Sequence, residues 1–242
     1  FNKYSILETR DIKRNDRFIQ YGLIASKMAV DDAGLNNLNQ VDKLRIGVSV
    51  GSGIGGLETI YEGSFPRLIT ISRLDGRKCH QNILMTIKNL LPRYPKIKYV
   101  SIGDGEERNN LEKLVKELNI KKHVSFIFNS TEQEKIGLLE KSNLFVMPSI
   151  IFKKSIEGFG ITFIEAASYS KASIGGVFGG ESDAIIHGKT GYLCDGNDLN
   201  ALYEIFVKTF EKNHYEKLGR NAFEFSKNFK WKKIIKKYIE LI

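Results

Sequence analysis

The run NLFVMPS (143–149), followed by EGFGITFIE (157–165), decides the fold of this chain. The first run is typical of a buried strand, and helix-forming residues follow the two glycines of the second. An unbroken helix would separate Glu157 from Glu165 by about 12 Å, and two glycines make such a helix unlikely. We therefore predict a strand, a loop that carries Glu157, and a helix that carries Glu165 about two turns in.

The start of this helix predicts a site for a phosphorylated ligand. The amides of Gly160, Ile161 and Thr162 are the unpaired donors of the first turn, and the helix dipole favours negative charge there. A ligand across the site would meet a carboxylate, these amides and a second carboxylate, which suits a sugar, a diphosphate and a ribose in series. On this motif alone, the alternative is a tight helix start with two exposed acids.

From Arg67 onward, short apolar runs alternate with helical patterns. Strands are predicted at 68–72, 98–102, 124–128, 144–147, 172–175 and 191–194. Helices are predicted at 80–91, 107–118, 131–141, 160–169, 181–187 and 198–210. This alternation predicts an α/β fold with a doubly wound parallel sheet. Such sheets bind ligands beyond the carboxyl ends of their strands, where the loop with Glu157 lies.

Two cations precede the next predicted helix on the same edge of the sheet. Arg73 follows the first predicted strand, and Lys78 lies five residues later at the predicted helix start. Two cations beside a helix N-terminus suit a diphosphate, although each one taken separately is more often a solvated charge. The glycine pairs at 175–176 and 179–180 are interpreted as room for a ligand, with ordinary turns as the alternative.

The composition is that of an ordinary globular protein. The chain has 242 residues, with 37 Lys and Arg, 28 Asp and Glu, and a net charge of +9. No apolar run reaches the roughly 18 residues that a membrane-spanning helix needs. Cys79 and Cys194 are too few for a disulfide framework and lack metal-site spacing, so we expect a reducing, cytoplasmic location and no metal.

The positive charge is concentrated toward the C-terminus. Residues 1–63 hold eight basic and eight acidic side chains, whereas 212–242 hold nine basic and three acidic ones. Apolar residues recur at helical spacing in 225–242, which predicts a basic amphipathic helix. This helix either docks on the body with solvated lysines or contacts an anionic membrane surface. Nucleic acid is not an expected partner, because no recognised motif supports it.

Six motifs occur in a fixed order after the first strand: ISRLDGRKCHQNIL (71–84), SIGDGEERNNLEKLVKELNI (101–120), HVSFIF (123–128), EGFGITFIEAASYSKASI (157–174), GGESDAIIHGKTGYL (179–193) and FKWKKI (229–234). Together they resemble the C-terminal, donor-binding domain of family-4 retaining glycosyltransferases, the group 1 glycosyl transferases. The resemblance implies the Rossmann-like C-terminal half of a GT-B enzyme.

The resemblance also implies roles for matching residues. Arg73 and Lys78 resemble the pair that binds the donor diphosphate and stabilises the leaving group, and Glu157 resembles the acid beside the transferred sugar. The amides of 159–162, from Phe159 onward, resemble the turn that binds phosphate and sugar, and Glu165 resembles the acid that holds the ribose hydroxyls. No metal or other cofactor is implied besides the nucleotide-diphosphate sugar. Cys79 departs from the family's usual glycine.

Residues 1–63 resemble a different family. The runs RNDRFIQYGLIASKMAVDDAGL (14–35) and RIGVSVGSGIGGLETIYEG (45–63) are similar to the N-terminal part of β-ketoacyl-acyl-carrier-protein synthase II. A helix at 15–33 and a strand at 45–50 are predicted. The nucleophilic Cys and the two His of that family have no counterpart here, so no condensing activity is expected. Separated from its own sheet, this α/β fragment is expected to be poorly ordered.

The chain is therefore interpreted as a fusion of two partial proteins, with domains at 1–63 and 64–242. The leading hypothesis is the donor half of a hexosyltransferase that acts on a glycan or lipid acceptor, at the inner face of the membrane and incomplete alone. A non-catalytic nucleotide-binding module is the second hypothesis. A fragment of a fatty-acid synthase component is the third, and the missing nucleophile counts against it.

Overall fold

The computed structural model describes residues 17–34 and 66–239. The chain divides into two units, Phe1–Ser64 and Phe65–Ile242, and each is considered by itself. In the first unit, helix α1 spans Arg17–Asp32, and its Gln20 and Ile24 side chains are buried. The predicted strand at 45–50 lies outside the described residues. Most of the segment 1–63, for which the sequence predicts poor order, also lies outside the described residues.

The second unit is one six-stranded parallel sheet covered by helices. Its strands are β1 Arg67–Ile71, β2 Lys98–Ile102, β3 Val124–Ile127, β4 Leu144–Met147, β5 Ala172–Gly175 and β6 Gly191–Leu193. Its helices are α2 His80–Leu90, α3 Arg108–Glu117, α4 Glu132–Lys141, α5 Ile161–Ser168, α6 Glu181–Ala184, α7 Leu199–Phe210, α8 His214–Ser226 and α9 Trp231–Ile239. The strand order is β3-β2-β1-β4-β5-β6, which confirms the predicted doubly wound α/β fold.

The strand order reverses between β1 and β4, which lie side by side. Leu68 pairs with Leu144 and Ile69 with Phe145. Neighbouring residues of a strand face opposite sides of the sheet, so Leu68 and Leu144 join the core layer under α2, α3 and α7. Ile69 and Phe145 join the layer under α4 and α5. The connections that follow β1 and β4 therefore leave toward opposite faces, and they open a crevice at the carboxyl ends of these strands.

Both faces of the sheet are buried, which explains its continuous apolar runs. All residues of β4 and β5 are buried, as expected for a parallel sheet with helices on both sides. No helix in the ranges 17–34 and 66–239 combines the length and the apolar character needed to cross a bilayer.

The C-terminal segment differs from its prediction. The single helix predicted at 225–242 is wrong within the described residues: α8 ends at Ser226, a turn spans Lys227–Phe229, and α9 begins at Trp231. The extended backbone of Lys230 separates the turn from α9. The Phe229 ring packs against Phe225 and Phe159, with centroid distances of 5.2 and 5.4 Å. This packing holds the chain in a turn where apolar spacing alone predicts a helix.

Two further helix predictions were inaccurate. Helix α6 ends at Ala184, because Ile185 has extended backbone angles, whereas the sequence predicted a helix to residue 187. Helix α8 occupies a region in which most residues were not assigned to any element. The other helices and strands of this unit begin and end within two residues of their predicted limits.

Candidate functional site

A buried ion pair joins the two loops at the centre of the sheet edge. Because β1 and β4 are neighbours, the loops after them meet: Lys78 Nζ lies 2.5 Å from Glu157 Oε2. Both residues are only 8% exposed, and the Ser149 hydroxyl lies 3.5 Å from the same carboxylate oxygen. Lys78 belongs to the turn Gly76–Lys78, and α2 itself begins two residues later.

The Lys78–Glu157 pair is a poor candidate for a purely stabilising interaction. Removing two charges from water costs much of what their attraction returns, so a buried pair adds little net stability. Loss of one partner would leave an uncompensated buried charge, which typically costs about 3–5 kcal/mol. The pair therefore fixes the position of both groups at the crevice, which matters more than its contribution to stability.

Arg77 supports the loop that carries Glu157. Its Nη1 donates a hydrogen bond of 2.7 Å to the Ile156 carbonyl, and its own carbonyl accepts one of 2.9 Å from the Ile150 amide. The sequence motifs gave Arg77 no predicted role. Its position next to Lys78 could have marked Arg77 as a candidate, but the sequence does not show which loop the Arg77 side chain contacts.

Arg73 lies at the surface and pairs with a different acid. Its guanidinium Nη2 is 3.3 Å from Asp75 Oδ2, and Arg77 Nη2 is 3.8 Å from the same oxygen. Asp75 is buried, and its Oδ1 has no hydrogen-bond partner among the described residues. Asp75 was also missed in the sequence, although an acid two residues from each of two arginines is a recognisable pattern. The structure thus places Arg73 and Lys78 on one connection but gives them separate acidic partners.

The residue that directly precedes helix α5 has to be glycine. Gly160 has φ +72°, a conformation that favours glycine, and a Cβ there would lie 2.5 Å from the Phe163 ring. In the described part of the chain, no acceptor takes a hydrogen bond from the amides of Gly160, Ile161 or Thr162. These three donors at the positive end of the helix form the predicted amide cluster.

Glu165 lies in the second turn of α5, as predicted, and is half-buried. It lines a groove of about 720 Å³ together with Phe159 and Ile161, and the C-terminal segment, including Trp231, forms the opposite side. Apart from Arg73 and the α5 amides described above, the predicted residues fall into two groups in the structure. Lys78 and Glu157 form the buried pair, whereas Phe159, Ile161 and Glu165 line the groove.

The glycines at 176, 179 and 180 make room for the protein's own backbone, and room for a ligand at these glycines stays a prediction. A Cβ on Gly180 would lie 1.7 Å from the Gly158 carbonyl oxygen, and one on Gly179 would lie 2.3 Å from the Glu157 carbonyl oxygen. The Gly180 amide donates a hydrogen bond of 3.1 Å to that Glu157 carbonyl. The loop after β5 is thus locked against the loop that carries Glu157.

Glu181 is the most buried acid in this region, and no sequence motif predicted a role for it. Its relative exposure is 0%, and neither carboxylate oxygen has a hydrogen-bond partner among the described residues. Burial raises the pKa of Glu181, and the charge of Glu157 raises it further. The Glu181 amide, the Ser149 hydroxyl and the Gly176 amide lie near the carboxylate but outside hydrogen-bond geometry, and they lower this pKa by less than burial raises it.

Both cysteines are buried free thiols. Burial is the main cause that raises the pKa of Cys79 and of Cys194 to about 12, so both stay protonated at neutral pH. A protonated, buried thiol is a weak nucleophile, and the lack of condensing activity stays a prediction. The described residues contain no group of three or more His, Cys, Asp or Glu side chains that could hold a metal ion. Independence from metal stays a prediction.

Comparison with known proteins identifies relatives for both parts of the chain. One relative is the GDP-mannose-dependent alpha-(1-6)-phosphatidylinositol monomannoside mannosyltransferase of Mycolicibacterium smegmatis. It is 27% identical over 142 residues, which cover 58% of this chain and 37% of the relative. The 3-oxoacyl-[acyl-carrier-protein] synthase 2 of Vibrio cholerae is 44% identical over 63 residues, 26% of this chain and 15% of the synthase. The chain thus spans well under half of either protein.

Solved structures share the fold of the second unit. Anabaena Alr3699/HepE in complex with UDP-glucose matches with a TM-score of 0.60 and 18% identity, over 70% of this chain and 46% of that one. The C-terminal domain of the group 1 glycosyl transferase LpcC from Francisella tularensis matches with a TM-score of 0.58 and 21% identity, over 72% of this chain and 91% of that domain. The family model for glycosyl transferases group 1 matches residues 62–225, so the chain belongs to this family.

Proposed function

We propose that residues 64–242 bind a nucleoside-diphosphate sugar and transfer its sugar, with retention of configuration and without a metal ion, to a glycan or lipid acceptor. The observation that carries this proposal is the buried Lys78–Glu157 pair at the sheet edge where β1 meets β4. The unpaired amides at the start of α5 follow directly after the same loop. A cation, a carboxylate and a set of free N–H donors are the groups that a sugar diphosphate needs.

Lys78 is the proposed partner of the diphosphate. An ammonium group has three N–H donors, and the bond to Glu157 uses one of them, which leaves donors for a phosphate oxygen. Arg73, whose side chain is 80% exposed, supplies a second cation from the same connection. As the sugar departs, these cations and the α5 dipole stabilise the negative charge that develops on the leaving nucleotide.

Glu157 and Glu165 are the proposed partners of hydroxyl groups. The Glu157 carboxylate is held by Lys78, and its backbone abuts the loop of Gly179 and Gly180. This fixed position supports a role for the carboxylate beside the transferred sugar. Glu165 lies about 6 Å further along the helix axis than Ile161. This offset supports a role for its carboxylate beyond the amides, toward a ribose that follows the diphosphate.

The comparisons support a nucleotide sugar as donor but leave the base open. One relative is described as GDP-mannose-dependent, and one structural neighbour was solved with UDP-glucose. We therefore propose the chemical class, a hexose joined to a nucleoside diphosphate, and test several nucleotides. The fatty-acid alternative is not favoured, because its similarity covers only a quarter of the chain.

The test is a calorimetric titration of the 242-residue chain with UDP, GDP and ADP in a chelator. We expect one nucleotide to bind, and we expect Lys78→Ala to weaken that binding roughly tenfold or more, because a charge-assisted hydrogen bond contributes about 1.5–3 kcal/mol. Lys88→Ala, an exposed lysine near the end of α2, is the matched control. Absence of binding by all three nucleotides, or equal affinities for the Lys78 variant and the wild type, would contradict the proposal.

We also propose that α9 contacts an anionic membrane surface on its cytoplasmic side. Trp231, Ile235 and Ile239 share one face of α9 and are 74%, 43% and 67% exposed. Six lysines and no acidic residue lie between Phe225 and Ile239. An exposed apolar face with basic neighbours is suited to the boundary between lipid headgroups and acyl chains. Such a contact would bring the donor site close to a lipid acceptor.

A further inference from the structure

The carboxyl group of Glu181 is enclosed by two glycines of the loop that precedes it. A Cβ on Gly176 would lie 2.7 Å from Glu181 Oε1, and a Cβ on Gly179 would lie 2.6 Å from Oε2. The same Cβ on Gly176 would lie 2.0 Å from the Ser149 carbonyl oxygen, and the one on Gly179 would lie 2.3 Å from the Glu157 carbonyl oxygen. The carboxyl therefore lies within the contact between the β5 loop and the loop that carries Glu157.

The charges around Glu181 do not balance if it is ionised. Glu157 is the acid whose charge acts on Glu181, and the cation of the cluster, Lys78, is already bonded to Glu157. A second carboxylate would then be an unpaired charge in a site where Lys78, Glu157 and Ser149 are all buried. The amides of Glu181 and Gly176 and the Ser149 hydroxyl favour the ionised form, but burial outweighs them. A buried carboxylate without a cation of its own therefore tends to take up a proton.

We propose that Glu181 is a positioning residue that retains its proton and, as a hydrogen-bond donor, holds the Glu157 loop against the β5 loop. A protonated carboxyl has one O–H donor. The Ser149 and Glu157 carbonyl oxygens abut the same two glycine positions as the Glu181 oxygens, and the Glu157 carboxylate is near enough for its charge to act on Glu181, so these are the candidate acceptors. If Glu181 ionised, the donor would be lost and Glu157 would be repelled. The effect on the sugar donor rests on the proposed function of Glu157, but the protonation does not.

The pH dependence has a definite sign. Burial raises the pKa of Glu181 above its ordinary value of 4.5, so the folded protein holds this proton more tightly than the unfolded chain. The contribution of Glu181 to stability is complete below about pH 4.5 and is lost as pH rises through the raised pKa. Glutamine at this position keeps a neutral donor at every pH, so the variant lacks this loss.

The experiment measures the protonation directly and its consequence separately. The carboxyl carbon of Glu181 is followed by 13C NMR in glutamate-labelled protein and is assigned by its disappearance in Glu181→Gln, or in Glu181→Asp if the first variant does not fold. We expect a protonated chemical shift at about pH 7, where an exposed glutamate is ionised. An ordinary titration midpoint near that of exposed glutamates would overturn the proposal, whatever the variants do.

The positioning role is read from stability and nucleotide binding. Between about pH 5 and about pH 8, we expect the melting temperature of wild type to fall relative to Glu181→Gln, while Asp183→Asn, an exposed acid of the same helix, parallels wild type.

Glu181→Gln should bind UDP, GDP or ADP within about threefold of wild type, and Glu181→Ala should bind at least about tenfold more weakly. Equal binding by the Ala and Gln variants would remove the positioning role. Failure of wild type to bind any nucleotide would instead remove the proposed function and leave the NMR result intact.

Discussion

Cys79 has a backbone conformation that is more typical of glycine. Its φ of +60° and ψ of 29° lie in the left-handed region, where the resembling family usually has glycine after the lysine. A residue with a Cβ loses roughly 1–2 kcal/mol in this conformation. Burial of the side chain and the 3.2 Å hydrogen bond from its thiol to the Gly196 carbonyl offset part of this cost. The turn that positions Lys78 is therefore kept despite the substitution.

This balance predicts an unusual order of stabilities at position 79. Cys79→Ala should destabilise the protein by about 1–2 kcal/mol, because it loses the thiol contacts but keeps the strained backbone. Cys79→Gly also loses those contacts but relieves the strain, so it should be the more stable of the two variants. Urea unfolding of both variants and of Cys194→Ala, at a buried cysteine outside the left-handed region, measures the order. If alanine were more stable than glycine, the backbone at this position would not be strained.

At the scale of elements, the start of α5 and the two loops beside it act as one assembly. Gly160 sets the direction of the helix, Arg77 bonds the Ile156 carbonyl, and Gly180 bonds the Glu157 carbonyl. Each contact comes from a different strand connection. The backbone that carries Glu157 is thus held by three connections, and a change in any of these contacts is expected to displace its side chain.

Helix α9 predicts binding to anionic vesicles. The chain should sediment with vesicles of phosphatidylglycerol and phosphatidylcholine, less so with phosphatidylcholine alone, and added salt should weaken the binding. Substitution of Trp231, Ile235 and Ile239 by serine should abolish it, since each large apolar side chain contributes about 1.5–3 kcal/mol on full burial.

Ile151→Ser, at an exposed isoleucine in the loop after β4, is the control for the vesicle experiment. This variant should bind vesicles as wild type does. Equal binding to charged and neutral vesicles, or retention of binding by the triple variant, would refute the membrane contact.

At the scale of the whole molecule, the chain combines a group 1 glycosyl transferase domain with an N-terminal part that is similar to a different family. The family match begins at residue 62, and the synthase match has 63 residues, the length of the predicted N-terminal fragment. The chain spans 37% of the mannosyltransferase it resembles. Rapid glycosyl transfer requires an oriented acceptor as well as a bound donor, and nothing in the second unit is proposed to orient one.

The 242-residue chain is therefore expected to bind its donor but to transfer sugar slowly, with slow donor hydrolysis as the measurable reaction. Chromatography of UDP-glucose and GDP-mannose after long incubation measures the hydrolysis, and Glu157→Ala should reduce it by roughly a hundredfold. Glu204→Ala, at an exposed glutamate of α7, is the control. Hydrolysis that persists in Glu157→Ala would remove the catalytic role of this acid. Binding without any hydrolysis in wild type would favour the non-catalytic binding module.

Local patterns by themselves determined the six strands, most of the helices and the placement of Glu157 on a loop before α5. They succeed because alternating apolar runs, glycine breaks and helix starts are properties of neighbouring residues. Only the tertiary structure decided that Lys78 bonds Glu157, 79 positions away, because this contact depends on β1 lying beside β4. It also decided that Glu181 is buried and that the C-terminal segment is interrupted between α8 and α9 by a turn and the extended Lys230. Burial and packing arise from distant parts of the chain, and the spacing of nearby residues does not record them.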